Sequence, residues 1–158
     1  MKKHLLIIVL PILVILSMTG CAGNQINGAP NLNDLVITLQ RTPCFGTCPV
    51  YKLTIFGDGK VVYEGKDFVR TRGRAETTIS HARIEQLVSE FEKVNYFSLN
   101  DKYTERTITD APSVITSITI DGKSKSIEHY HGDFNAPKQL TELEDEIDAI
   151  VNSNQWIQ

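Results

Sequence analysis

Cys44 and Cys48 are the residues of this sequence whose type and spacing point most directly to chemistry. They have three residues between them in the compact segment PCFGTCPVY, residues 43–51. In an extended strand their Cα atoms would lie about 13 Å apart, whereas a disulfide needs about 4.4–6.8 Å. A bridge therefore requires the chain to curl, and we expect Gly46 at the midpoint to take the left-handed conformation that such a curl favours.

Three interpretations of this cysteine pair stay open at the level of the residues. The first is a structural disulfide, the second a thiol-redox site, and the third a soft-metal site, because paired thiolates suit Cu(I) and Zn(II). Familiar oxidoreductases place two residues between their cysteines and set them in a βαβ unit, and this sequence shows neither feature. Cys-x3-Cys-Pro with a distant His resembles the Sco-type copper chaperones, which implies copper binding by Cys44, Cys48 and either His129 or His131.

His129 and His131 form a second candidate site in the segment HYH. In a strand, residues two apart share a face, so both imidazoles are expected beside Ile127, with Tyr130 on the opposite face. Such a pair can hold a metal, but the sequence indicates no fixed third ligand. A hydrogen-bonded structural role is therefore the favoured prediction.

Weaker candidates lie in two polar segments. Arg70, Arg72 and Arg74 alternate and would form an anion-binding rim if extended, although a solvated loop is the preferred interpretation. Asp110, before Ala111-Pro112, is a conceivable catalytic carboxylate, but an Asx-type turn explains it better.

The first residues resemble the export signal of a bacterial lipoprotein. Two lysines precede an apolar run of about twelve residues, too short to span a membrane and typical of a signal peptide over residues 1–20. The residues MTGC that end at Cys21 resemble the lipobox, although Met18 and Thr19 replace the usual Leu and Ala or Ser. This resemblance implies that Cys21 carries acyl chains that anchor the protein.

Lipidation of that cysteine would leave Cys44 and Cys48 as an isolated pair. In an oxidising envelope the simplest prediction for such a pair is a disulfide. Ala22 replaces the Asp that often retains lipoproteins at the inner membrane, which predicts the outer membrane, facing the periplasm, if the host has two membranes. Residues 21–32 are rich in Asn, Gly and Pro and are predicted to be a lipidated tether, followed by a single domain over residues 33–158.

The charge disfavours some classes of partner. The chain has 16 Lys and Arg against 19 Asp and Glu, and loss of Lys2 and Lys3 with the signal peptide takes the net charge from −3 to −5. Nucleic-acid affinity depends on neutralising phosphates, so nucleic acid is not expected as a partner. The same sign disfavours anionic lipid, and the acyl chains on Cys21 are the expected link to the membrane.

Alternating apolar residues predict an N-terminal strand and two hairpins. The predicted strands are residues 34–40, 50–56, 61–65, 114–120 and 124–130. Tight turns are expected at residues 57–60 and at Asp121-Gly122. Residues 75–79 are a weaker strand candidate that we leave out of the count.

A period of 3.6 residues predicts two helices. The first has Ser80 as its N-cap and an apolar stripe formed by Ile84, Leu87, Val88, Phe91 and Val94. The second begins at Pro137, and its apolar stripe is Leu140, Leu143, Ile147 and Ile150. Its acidic residues are expected on the solvent face, namely Glu142, Glu144, Asp145, Glu146 and Asp148. The order predicts an α+β fold with an antiparallel sheet of about five strands and two helices packed on one face.

The collected motifs resemble a known family. Cys44-Phe45-Gly46-x-Cys48-Pro49-x-Tyr51 runs into a Gly-x-Gly-x-Val hairpin, with Thr109-Asp110-x-Pro112 and His-Tyr-x-Gly at 129–132 downstream. This pattern is similar to the domain-of-unknown-function family 6438 of small bacterial envelope proteins, over about residues 34–157. The resemblance implies the extent of the domain and no activity.

The function expected from the sequence is non-enzymatic. No Gly-x-Ser-x-Gly elbow or complete acid–base set accompanies the many Ser and Thr residues, so we expect a binding or structural module without a cofactor, with an envelope protein as its partner. The alternative is copper or thiol–disulfide handling by Cys44, Cys48 and His129 or His131.

Overall fold

The computed structural model describes residues 31–158, and all structural statements below concern that part of the chain. The predicted signal peptide and the predicted lipidation site Cys21 lie outside the described residues.

Seven strands form one sheet in the order β4-β3-β2-β1-β6-β7-β5. They are β1 (Val36–Arg41), β2 (Val50–Phe56), β3 (Lys60–Asp67), β4 (Gly73–Thr78), β5 (Lys102–Tyr103), β6 (Ser113–Ile120) and β7 (Lys123–Tyr130). Neighbouring strands are antiparallel, except that β5 runs parallel to β7.

The prediction of about five strands is wrong, because two edge strands carry little apolar pattern. β4 has the sequence GRAETT, is half-buried at best and pairs with β3 at the sheet edge. β5 has only two residues, which is too short for any periodicity to register. The mixed α and β composition and the antiparallel centre agree with the prediction.

The helices are α1 (His81–Lys93), α2 (Lys138–Val151) and α3 (Asn154–Ile157). Ser80 is the N-cap of α1, where its backbone carbonyl accepts from the amides of Arg83 and Ile84. The predicted stripes of α1 and α2 are buried, apart from the half-buried Val94 at the C-cap of α1.

One hydrophobic core lies between the sheet and the helices. Alternate residues of the central strands point into it, such as Ile37 and Leu39 of β1, as the period of two requires. They share one cluster of buried residues with Leu87 of α1 and with Leu140 and Ile147 of α2. The helices therefore cover one face of the sheet.

The two ends of the sheet differ. At the turn end lie the β2–β3 turn at residues 57–59 and the β6–β7 turn at Asp121 and Gly122, both of which have positive φ. Gly57 is required there by close approach, because a Cβ on it would lie 1.8 Å from the carbonyl oxygen of Leu32.

The chain enters the domain at this turn end. The backbone amide of Asn31 donates to the carboxylate of Asp121 at 3.0 Å. The Asp34 carboxylate accepts from the amide of Gly122 at 2.7 Å. The first described residues are thus fastened to the β6–β7 turn.

The opposite end, here called the loop end, carries the longer connections. They are residues 42–49 between β1 and β2, 68–72 between β3 and β4, 104–112 before β6 and 131–137 after β7. The strand registers place all four at the same end of the sheet.

Candidate functional site

Cys44 and Cys48 form a disulfide in the structure, with their Cα atoms 5.7 Å apart. The segment curls without a left-handed glycine, so the expectation for Gly46 is wrong: its φ does not lie in the positive region. A hydrogen bond of 3.0 Å from the Gly46 amide to the Cys44 carbonyl closes the turn instead. Both sulfur atoms are committed to each other, so in this state neither is a thiolate ligand.

The disulfide loop is fastened to the loop before β6. The Phe45 amide donates to the carbonyl of Asp110 at 3.2 Å, and the Thr42 amide donates to the carbonyl of Ser113 at 3.0 Å. The Phe45 side chain itself contributes nothing to the core, since it is 89% exposed. The loop is thus held by its backbone while its aromatic ring faces solvent.

The two histidines converge on a third residue, Glu144 of α2. Nδ1 of His129 lies 2.8 Å from one carboxylate oxygen, and Nε2 of His131 lies 2.8 Å from the other. The two imidazole rings have centroids 4.7 Å apart. His129 lies on β7 and His131 directly follows its last residue, and both side chains point to the helix-covered face, as their spacing of two predicts.

Burial and hydrogen bonding act in opposite directions on this carboxyl group. The Glu144 side chain is fully buried, and burial raises its pKa by disfavouring the charged form. The hydrogen bonds and charges of His129 and His131 outweigh burial and hold the pKa of Glu144 below its usual value. The site therefore contains a buried carboxylate in its ionised form.

A second polar cluster lies one helical turn further along α2. The Tyr51 hydroxyl donates to the Asp148 carboxylate at 2.7 Å, Nε of Arg41 donates to it at 2.9 Å, and the Ser153 hydroxyl at 2.6 Å. Burial and the Asp148 charge raise the pKa of Tyr51 above its usual value. Burial lowers the pKa of Arg41, but its pairing with Asp148 outweighs that effect and raises the pKa.

The expectation that the acidic residues of α2 all face solvent is wrong for Glu144 and Asp148. Glu144 is fully buried, and the Asp148 side chain is only 16% exposed. The signal was present in the sequence, because position 144 lies four residues after Leu140 and three before Ile147, both on the buried stripe. The charge of the residue obscured its position on that stripe.

The weaker candidates of the sequence do not form sites in the described chain. Arg70 donates to the carbonyl of Gln155, while Arg72 and Arg74 pair with Asp67 and Glu76. An anion-binding rim would need these guanidinium groups to converge on a common ligand.

Asp110 has a positive φ of 69°, and its carboxylate accepts a hydrogen bond of 3.2 Å from the Thr109 hydroxyl. Its carbonyl holds the disulfide loop. The Asx-type turn expected from the sequence needs the amide two residues on as donor, and Pro112 at that position has no N–H.

Exposed apolar side chains concentrate at the loop end. Among the described residues, five large hydrophobic side chains are exposed, and four of them belong to the loop-end connections: Phe45, Phe68, Ile108 and Phe134. Backbone hydrogen bonds join three of these loops: the Phe45 amide donates to the carbonyl of Asp110 at 3.2 Å, and the Ile108 amide donates to the carbonyl of Gly132 at 3.4 Å. The fifth, Phe97, lies outside this end, between α1 and β5 and close to Lys125.

The fold and site together define a small α+β domain with a disulfide loop and a buried histidine–carboxylate cluster. The chain belongs to the family described as "Domain of unknown function (DUF6438)", whose model matches residues 35–151. No curated protein matches the chain significantly. None of the helices between residues 31 and 158 is long and apolar enough to cross a membrane.

Proposed function

We propose that this chain is a lipid-anchored protein of the bacterial cell envelope, and that its domain binds a partner protein through the loop end. The observation that carries the proposal is the concentration of exposed Phe45, Phe68, Ile108 and Phe134 on the connections at one end of the sheet. Scattered single apolar residues need no explanation, whereas a group of them at one place is typical of an interaction site.

The loops that carry these residues have defined conformations. The disulfide constrains residues 44–48, and the buried Asp133 carboxylate accepts backbone hydrogen bonds from Asn135 and Glu105 at 2.9 Å each. Hydrogen bonding from the Asn135 amide outweighs burial and lowers the pKa of Asp133, which keeps it ionised. A surface held in place before binding loses less conformational entropy when a partner docks.

The position of the tether favours a protein over the lipid surface as the occupant. The chain enters the domain at the turn end, where Asn31 contacts Asp121. The ten residues 22–31 between the proposed lipidated Cys21 and this point span at most about 35 Å. The loop end is the far end of the sheet from this entry point, so the attachment of the tether leaves it accessible to a protein partner.

The anchor itself is the second part of the proposal. Acyl chains on Cys21 attach the protein to the outer membrane, facing the periplasm, in a host with two membranes. Two or more chains give stable anchoring, whereas one gives only marginal binding.

Site-specific photo-crosslinking in intact cells tests the binding site. A photoreactive phenylalanine analogue replaces Phe45 in one variant and Phe97, the exposed aromatic outside the loop end, in the control. We expect one discrete protein adduct from position 45 and none from position 97. Adducts from both positions alike, lipid adducts from position 45, or no adduct would contradict a protein-binding loop end.

Copper or thiol–disulfide handling by Cys44 and Cys48, with His129 or His131, is the alternative proposal. The half-buried cysteines lie on a surface loop, where a reductant can reach them. A thiol assay without reductant, followed by Cu(I) titration after reduction, separates this alternative from a purely structural disulfide in a binding domain. Stoichiometric Cu(I) uptake that is lost in His131→Ala would favour the alternative.

A further inference from the structure

We propose that His129, His131 and Glu144 form a binding site for one divalent transition-metal ion, with Zn²⁺ as the best fit. Each of these residues offers one ligand atom, and the three atoms all lie within 4.8 Å of one another. The proposal is independent of the loop-end partner, because the cluster lies beneath α2 and uses none of the exposed apolar residues.

The geometry needs little adjustment to accept an ion. A tetrahedral zinc site with bonds of about 2.0–2.1 Å separates its ligand atoms by about 3.4 Å. The two nitrogen–oxygen distances are 2.8 Å in the structure. An ion therefore requires each of these nitrogen–oxygen pairs to move apart by about 0.6 Å, and the most distant pair of ligand atoms, which lies within 4.8 Å, to move together by at most about 1.4 Å.

The charge balance of the cluster favours a cation. Within residues 31–158, no Lys or Arg nitrogen pairs with the Glu144 carboxylate; Arg41 reaches only the Glu144 backbone carbonyl, at 3.5 Å. Buried charges in proteins are either paired or coordinate a metal, and a divalent ion would give the Glu144 carboxylate a positively charged partner.

The exposure of the three side chains gives the ion a route of entry. Glu144 is fully buried and the His129 side chain is 5% exposed, but the His131 side chain is 25% exposed. In an ion held by these three residues, the fourth coordination position would lie on the His131 side and be open to water.

The donor set identifies the class of metal. Imidazole and carboxylate suit Zn²⁺ and related first-row divalent ions, whereas Ca²⁺ and Mg²⁺ prefer oxygen ligands alone. Cu(I) prefers thiolates, and the two cysteines of the domain are joined in a disulfide. Two His and one carboxylate with an open position is also the arrangement of many zinc sites that bind water.

Metal titration of the purified full-length protein in detergent tests the site. The protein is stripped with a chelator, kept free of reductant so that the disulfide stays closed, and titrated with ZnCl2. We expect one Zn²⁺ per chain. His131→Ala should weaken Zn²⁺ binding at least about 100-fold, because mutating a residue that only hydrogen-bonds to a metal ligand already lowers metal affinity about 10–100-fold. The control His81→Ala, an exposed histidine of α1, should leave the affinity unchanged.

Spectroscopy of the unaltered protein keeps the test decisive if His131→Ala fails to fold. With labelled histidines, Zn²⁺ should shift the ring signals of His129 and His131 and leave those of His81 in place. Absence of binding at micromolar Zn²⁺, or binding that leaves the His129 and His131 signals unmoved, would overturn the proposal. Neither outcome depends on the crosslinking result at Phe45.

Discussion

At the scale of single residues, the buried carboxylate of Glu144 links α2 to the sheet by hydrogen bonds to two histidines. Both carboxylate oxygens are satisfied, one by His129 and one by His131. Removing the carboxylate leaves two buried or half-buried imidazoles without their partner, and an unsatisfied buried polar group costs more than an ordinary contact.

Glu144→Ala is therefore expected to lower the free energy of unfolding of the metal-free protein by about 2–4 kcal/mol. Glu146→Ala, on the exposed face of the same helix, should change it by less than about 0.5 kcal/mol. Urea denaturation of both variants measures the difference. Equal stabilities of the two would mean that the buried cluster contributes nothing to the fold.

Two tyrosines on neighbouring strands provide a second comparison. The hydroxyl of Tyr51 donates to Asp148 at 2.7 Å, whereas the hydroxyl of Tyr63 is buried and has no hydrogen-bond partner among the described residues. The centroids of their rings lie 5.7 Å apart, so substitutions at the two positions affect the same part of the core.

Tyr51→Phe should lower the free energy of unfolding by about 1–2 kcal/mol, because it leaves a charged partner with fewer hydrogen bonds. Tyr63→Phe should be neutral or stabilising, because it removes an unsatisfied hydroxyl. Thermal unfolding of the two single variants is the measurement. The opposite ranking would show that the Asp148 network is not a stabilising contact.

The sequence predicts two of the three residues of the buried cluster. Alternation on a strand places His129 and His131 on one face, but their partner comes from a helix 13 residues beyond His131. Such a contact depends on how α2 crosses the sheet, which no local pattern specifies. The helical period alone places position 144 on the buried face of α2.

At the scale of elements, the disulfide loop is a small local constraint. Its cysteines are four positions apart, so the bridge closes a very short loop. Loop-closure entropy assigns such a bridge about 2 kcal/mol. The hydrogen bonds of Thr42 and Phe45 to the neighbouring loop do not involve the sulfur atoms.

Replacing Cys44 and Cys48 together by Ser is expected to lower the free energy of unfolding by about 2 kcal/mol and to leave the domain folded. Equilibrium denaturation measures the loss, and circular dichroism checks the fold. A wholly unfolded double variant would contradict a merely local role for the bridge. An unchanged stability would show that the bridge constrains nothing.

The elements themselves could be predicted where apolar residues are periodic. The central strands and both long helices follow from their patterns, including Ser80 as the N-cap of α1. β5 pairs through the backbone of Lys102 and Tyr103 alone, and a contact of that kind has no side-chain signature. A strand count based on side-chain patterns is therefore too low at the edges of this sheet.

At the scale of the whole molecule, the two ends of the sheet carry different features. Its described N-terminus is fastened at the turn end by Asn31 and Asp34, and its exposed apolar residues lie at the loop end. This separation gives the proposed anchor and the proposed binding surface distinct places on the domain. The anchor predicts a simple biochemical outcome.

Cys21→Ser should abolish incorporation of a labelled fatty acid, since the proposed acyl chains are attached at that residue. Metabolic labelling of the unaltered protein and of the variant tests this. Label in the variant, or no label in the unaltered protein, would contradict anchoring by acyl chains on Cys21.

If the loop end forms one binding surface, residues on its separate loops contribute to the same complex, and the yield of the adduct from position 45 measures this. With the photoreactive analogue at position 45, Phe134→Ser removes an apolar side chain from a different loop of the same end. We expect a loss of adduct of about tenfold, as when about 1.4 kcal/mol of apolar contact is removed, while Phe97→Ser leaves the yield unchanged. An undiminished yield in Phe134→Ser, or an equal loss in Phe97→Ser, would show that the loop end is not one binding surface.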